Sequence, residues 1–200
     1  IGLGIPAEPL FRSSYAGDKM IGIANREPHT SNKIMRRFYI HALDRAKDSV
    51  KIVNPYFAPT QSIMKALKRC ADRGVKMDIL ISSRYDEPLM PEIVLYYTRK
   101  LAKRGVHIWR YRPGFHHSKI MMVDGKYCTV GSTNLDARSM RYDYEINAII
   151  IDPETTNQLE DKFLEDTQKC DFMSEEEWKK TLTTWKKFKG WFGHLLTVLL

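Results

Sequence analysis

Apolar positions along this chain follow two spacings. Short continuous runs at residues 50–53, 75–81, 106–111 and 144–151 have the length and β-branched content of buried strands. Residues 20–24 form a shorter run of the same kind. Between the runs, apolar residues recur every three or four positions, as amphipathic helices require. Ile34, Met35, Phe38, Ile40, Ala42 and Leu43 carry one helix up to Asp48, with Thr30-Ser31-Asn32 before it as N-cap. Ile63, Met64, Leu67 and Cys70 carry the next, with Thr60 as its cap and Gly74 as its C-cap. A loop with Pro88 and Pro91 leads into a third helix that reaches Arg104 and stops at Gly105. Asp152-Pro153 opens a fourth over 154–170, with Leu159, Phe163 and Leu164 at helical offsets. Residues 1–18 show no periodicity and read as an irregular lead-in. Strands alternating with helices predict an α/β sheet layered by helices.

The stretch from Phe115 to Asn134, FHHSKIMMVDGKYCTVGSTN, is of a different kind. Its apolar runs at 120–123 and 127–130 predict two short strands, joined by the turn dipeptide Asp124-Gly125. Alternation along the first strand places His117 and Lys119 on one face. The second strand returns Gly131-Ser132-Thr133-Asn134 to the same end. An imidazole, an ammonium, a hydroxyl and an amide therefore converge, which makes an anion-binding site with a potential nucleophile. A lone histidine in a hairpin is ordinarily structural; the surrounding set argues otherwise for His117. The adjacent His116 has the wrong offset to Lys119 and is read as a neighbour that packs or hydrogen-bonds.

This spacing resembles the HKD motif of the phospholipase D superfamily, nucleases included. Asn54-Pro55-Tyr56-Phe57-Ala58-Pro59, the run 111–119, Gly131-Ser132-Thr133-Asn134-Leu135-Asp136-Ala137-Arg138-Ser139 and Tyr144-Glu145-Ile146-Asn147-Ala148 are similar to the second half of bacterial cardiolipin synthases. The resemblance implies a phospholipase D-like sandwich, a mixed sheet flanked by helices, carrying one HKD half-domain. It also implies chemistry through a phosphohistidine that a second alcohol resolves, with no metal and no cofactor. The catalytic set is then His117, Lys119 and Asp124, and the substrate-binding set is Ser132, Asn134 and Glu145. Whether His117 is nucleophile or general acid stays open. Lys119, Ser132 and Asn134 are expected to hold phosphoryl oxygens. Asp124, although part of the motif, sits in a turn and is expected to support the hairpin by accepting backbone N–H bonds. Glu145 lies on an otherwise apolar strand and needs a partner there, for which the far nitrogen of His117 is the expected one. Tyr56 and Phe57 are read as either a lipid groove or core. Arg112, Arg138 and Arg141 attract anionic head groups or form a solvated face.

Composition narrows the partners. A net charge of +8 calls for an anionic one. Cys70, Cys128 and Cys170 suit neither a disulfide framework nor a zinc site. No apolar stretch is long enough to span a membrane. From Trp178 the chain reads WKKTLTTWKKFKGWFGHLLTVLL, and lysines interleaved with aromatics suit a helix lying in an anionic membrane interface. The division expected is a catalytic half-domain over 1–175 and a basic, aromatic tail over 176–200. Branch members carry two motifs and membrane helices, whereas one motif occurs here and the chain opens on Ile1. It is therefore expected to be the cytoplasm-facing part of a longer bacterial membrane protein. The leading function is a phosphatidyltransferase that joins phosphatidylglycerol molecules at a membrane surface. It would be completed by a missing N-terminal half or a second copy of the chain. A homodimeric phosphodiesterase or nuclease and a non-catalytic membrane-binding module are the alternatives. Nucleic acid is disfavoured as a partner, because the tail is lipid-like.

Overall fold

Residues 17–28 and 33–196 are described by a computed structural model. The lead-in before residue 17 and the Thr30-Ser31-Asn32 cap lie outside the described residues. Fifteen elements are described, in the order β1 (Met20–Arg26), α1 (Ile34–Arg45), β2 (Ser49–Val53), α2 (Gln61–Asp72), β3 (Lys76–Ser82), α3 (Met90–Ala102) and β4 (His107–Tyr111). There follow β5 (Ile120–Val123), β6 (Tyr127–Gly131), α4 (Ala137–Arg141), β7 (Glu145–Ile151), α5 (Pro153–Thr167), β8 (Cys170–Phe172), α6 (Glu175–Thr181) and α7 (Thr184–Leu196).

The eight strands make one sheet in the order β1-β7-β6-β5-β2-β3-β4-β8. Helical crossovers make β2, β3 and β4 parallel, and every other pairing is antiparallel. This is the mixed α/β sheet flanked by helices that the sequence predicts. The larger core lies under α1, α2 and α3, built around Met35, Leu43, Ile63, Leu67, Ile79 and Ile93. The smaller lies on the other face, where Phe163 of α5 meets Val53, Leu80, Met122 and Cys128.

Several boundaries differ from the sequence reading. The first helix ends at Arg45, not Asp48: Ala46 turns extended, and the Asp48 N–H leaves the helix to reach the Asp124 carboxylate at 2.8 Å. Thr60 stands at the N-cap position but makes no cap; its hydroxyl lies 3.3 Å from that of Ser62. The helix from Pro153 stops at Thr167, and Cys170 belongs to an edge strand that satisfies β4. The tail is two helices, with Trp178 and Leu182 buried against the body. Among the described residues no helix is long and apolar enough to cross a membrane.

Asp124 holds the hairpin as the sequence suggests, but to a more distant target. It and Gly125 take positive φ values of 55° and 62°, the signature of a type I′ turn. Its carboxylate accepts from the backbone N–H groups of Lys47, Asp48 and Ser49 at 2.8–3.2 Å. Burial alone would raise its pKa, yet those three donors bring it below the ordinary value. A depressed folded pKa contributes stability that is present above the unfolded value of about 3.9 and lost as pH falls through the folded one. Asp124→Asn is therefore expected to lower stability by about 2 kcal/mol at neutral pH. The deficit should shrink in urea titrations below about pH 4. A deficit independent of pH would rule out the charged carboxylate as its source.

Candidate active site

The topology brings many strand ends to one side of the sheet. β2 and β3 finish there, as do β1 and β6, while β5 and β7 begin there, since Val53 faces Ile120, Gly131 faces Asn147 and Arg26 faces Glu145. Open sheets of this kind place ligands beyond the carboxyl ends of their parallel strands. His117, Lys119, Ser132, Asn134 and Glu145 all line one pocket at this edge, with Asp143 and Tyr144. Asp124 does not: it lies at the opposite end of β5. Its grouping with the catalytic set is corrected accordingly, because a carboxylate spent on three backbone donors one strand length away cannot touch the substrate.

His117 and Lys119 precede the first strand of the hairpin rather than lying on it, since β5 starts at Ile120. The His117 ring is exposed, with Phe115 and Tyr56 at centroid distances of 5.0 and 6.4 Å. Lys119 is buried, and its Nζ donates to the His117 carbonyl at 2.7 Å. Desolvation, then the Lys119 charge, lowers the His117 pKa, with Asp86 opposing. The shift favours the neutral form of the ring. Burial also lowers the Lys119 pKa, against the pull of Glu145, Asp136 and Asp86.

The loop after β6 is fixed from below. Asn147 accepts from the Thr133 hydroxyl at 2.7 Å and from its N–H at 3.3 Å, and donates to Thr129 and Tyr39. Asn54, following β2, accepts from the Leu135 N–H at 3.2 Å. A side chain at Gly131 would collide with Asn147 and the Ile146 carbonyl, so glycine is needed for the strand to approach. Asn134 gives its N–H to Ser139, while its buried Oδ1 has no hydrogen-bond partner.

Glu145 is partnered by the Ser132 hydroxyl, through a short hydrogen bond, and not by the His117 ring. The expected Glu145–His117 pair is replaced because Ser132 sits directly across from β7, where its N–H also bonds the Ile146 carbonyl at 3.0 Å. His116 is a packing neighbour, as expected: its Nε2 lies 3.2 Å from Asp166 and its ring is edge-on to Tyr111. Phe57 is core, whereas Tyr56 joins the rim and bonds Asp86. Arg138 pairs with Asp143 at 3.1 Å.

Two residues near the site escaped the sequence reading. Arg26 is 3% exposed at the end of β1, opposite Glu145, with Nη1 donating to the Asp143 carbonyl at 2.5 Å. Its signal, one arginine closing an apolar strand, was too common to read. Asp136 caps α4 and is pushed up to about 6 by burial, with Glu145 and Asp143 adding to the rise. Among the described residues no cluster of three metal-ligating side chains occurs.

Fold and site together give a mixed α/β sheet with His117, Lys119, Ser132, Asn134 and Glu145 gathered at one open edge. The chain belongs to the family described as "Cardiolipin synthase, PLD-like domain", which matches residues 39–167. It is 32% identical over 184 residues to the cardiolipin synthase of Listeria monocytogenes, covering 92% of this chain and 38% of that protein. Cardiolipin synthase 1 of Staphylococcus epidermidis is 32% identical over 185 residues, of which the chain covers 37%. The chain thus spans under two fifths of these relatives. Its fold is similar to that of Nuc, a phospholipase D family member from Salmonella typhimurium, with a TM-score of 0.66 at 20% identity, over 78% of this chain and 98% of Nuc. It is also similar to that of phosphatidylserine synthase from Haemophilus influenzae, with a TM-score of 0.69 at 16% identity, over 90% of this chain and 47% of that one. The same fold thus recurs as nearly a whole chain and as about half of one.

The electrostatics of the His117 ring can be read by NMR titration. Lys119→Met removes a positive charge beside the imidazolium, so the His117 pKa should rise toward the ordinary value of about 6.5. A ring pKa that stays where it is in the wild type, or falls, would show that Lys119 does not set it.

Proposed function

We propose that this chain supplies one half of the active site of a cardiolipin synthase-like phosphatidyltransferase. The whole enzyme would move a phosphatidyl group from one phosphatidylglycerol to another and release glycerol. The observation that carries the reading is the convergence of the exposed His117 ring, its pKa lowered by burial and by Lys119, with Lys119, Ser132 and Asn134 at one open pocket.

The chemistry follows from these groups. His117 attacks phosphorus, the P–O bond to the leaving alcohol breaks, and a phosphohistidine forms. The hydroxyl of a second lipid then attacks that phosphorus and frees the ring. Lys119 and the Asn134 amide receive the charge on the non-bridging oxygens, where fixed donors act most strongly. Ser132 is held in place by Glu145. Each displacement also requires a group opposite the nucleophile to protonate the departing alkoxide or to take the proton of the attacking alcohol. His117 cannot fill both places during one displacement, so a second half-domain has to provide the other group.

The sheet supports such a partner. α5 covers the face of β2, β4, β5, β6 and β8. On that same face Ile21, Ile23, Val130 and Ile146 of β1, β6 and β7 are exposed beside the pocket. An apolar patch continuous with an incomplete site suits a second half-domain, supplied by a longer chain at the bacterial membrane. A second copy of this chain is the other source, favoured by the near-complete match to the fold of Nuc.

In the assembled enzyme, His117→Asn should abolish turnover of phosphatidylglycerol with the fold retained. An acid-labile phosphoryl label lost with it would identify the nucleophile. This chain alone should turn over negligibly, and co-expression with the other half should restore activity unless Ile23→Glu blocks docking. Robust turnover by this chain alone, rising with its own concentration, would assign the second half to another copy. Full activity in His117→Asn would overturn the reading.

A further inference from the structure

A basic cavity lies where the tail meets the body. α7 docks on α3 through its small residues: side chains at Gly190 and Gly193 would strike the Glu92 carbonyl and Ile93. His194 stacks on Tyr96 with centroids 4.8 Å apart. α6 is clamped as well, since Arg99 pairs with Glu175 and lies over the buried Trp178 ring. The tail helices are thus fixed to the body. Their outer side carries Trp185, Phe188, Trp191, Phe192 and Leu195, all exposed, with Phe188 packed against the three other rings.

Beside this aromatic face the α3–α7 seam opens into a cavity of about 330 Å³. Its charged lining is Glu92, Arg99, Lys100, Lys103, Lys186 and Lys187. Glu175 neutralises Arg99, whereas the four lysines have no carboxylate within ion-pair distance among the described residues. A neighbouring cavity extends the charge with Lys68, sharing Lys100 and Lys103. Four lysine charges facing one carboxylate leave an excess that an anion would neutralise. Glu92 adds a distinct demand: its Oε2 is buried and has no hydrogen-bond donor. A buried acceptor of this kind needs a donor, which water, an ion or a ligand group can bring.

The geometry points to this cavity as a binding site for the head group of a glycerol-bearing anionic phospholipid in a bilayer. The lysines take its phosphate and Glu92 accepts from a head-group hydroxyl. The bilayer is the committed source because the aromatic face adjoins the cavity, and Trp and Phe beside Lys are suited to the head-group region. This pocket shares no lining residue with the one holding His117, so the inference stands or falls apart from the catalytic reading. It would seat the chain on its substrate-bearing surface while leaving the reacting pocket free.

The test is vesicle co-sedimentation of the full chain, which reads binding and not turnover. Phosphatidylcholine vesicles carrying phosphatidylglycerol are compared with ones carrying phosphatidic acid, and with phosphatidylcholine alone. Lys100→Gln/Lys103→Gln should weaken binding to phosphatidylglycerol vesicles about thirtyfold, at roughly fivefold per lysine. Lys47→Gln/Lys126→Gln removes the same charge elsewhere and should weaken it less than fivefold. If Lys100→Gln/Lys103→Gln disturbs the fold by circular dichroism, Lys103→Gln/Lys187→Gln replaces it with the same expectation. Glu92→Ala should raise binding to phosphatidic acid, by removing a negative charge, but reduce the preference for phosphatidylglycerol over it. Equal losses from the cavity and control pairs would reduce the site to diffuse surface charge. An unchanged lipid preference in Glu92→Ala would overturn the head-group assignment. Inorganic phosphate that competes fully at millimolar levels, with no vesicle preference, would make it a free-phosphate site instead.

Discussion

The side-chain amide of Asn147 is the constraint on which the site depends. It is 1% exposed and bonds Thr133, Thr129 and Tyr39 from the middle of the sheet edge. The Thr133 backbone is buried in a loop, where no regular ladder satisfies it. Leaving one such group unpaired costs about 1–3 kcal/mol. With Asn54 reaching over from β2 to hold Leu135, the two asparagines fix both neighbours of Asn134. The Asn134 side chain is thereby positioned through its buried neighbours, its own Oδ1 being left without a partner.

The second constraint is charge. Lys119 is buried to 6% exposure within the field of Glu145 and Asp136, and Arg26 lies buried beneath at 3%. Isolated, each would be expensive to bury; together they compensate one another. The acids keep the ammonium tolerable, burial and then the ammonium lower the His117 pKa, and Arg26 lies in the field of Glu145 and Asp143.

What the sequence made legible follows its local signals. The hairpin, the Asp124-Gly125 turn and the convergence of His117 with Ser132 and Asn134 rest on period-two alternation and one turn dipeptide, which act over a few residues. The partner of Glu145 was misread because it depends on cross-strand register: Ser132 and Glu145 are neighbours only after β6 and β7 pair. Asn147 stood in plain view, two residues after Glu145 on the same strand face. Its polarity in an apolar strand was the available signal. Strand β8 was hidden because three residues, Cys170–Phe172, carry too little pattern to outweigh the preceding helix. The tail lysines and aromatics were legible as a surface, but the docking of α7 depends on Gly190 and Gly193 fitting against α3, which no periodicity announces.

The uneven covering of the sheet bears on the proposal that one chain supplies half a site. Helices shield the β2–β5 centre on both faces, while Ile21, Ile23 and Ile146 at the β1–β7 end are left in water. An edge of this kind is a liability unless something covers it. The exposed strip is also continuous with the pocket, since Ile146 follows Glu145 and its carbonyl binds the Ser132 N–H. A body resting there would close the open side of the pocket and bring its own groups to the far side of a bound phosphorus. The need for an opposing acid in the proposed chemistry and the need for an apolar cover in the fold are separate requirements. A single second half-domain on that strip meets both.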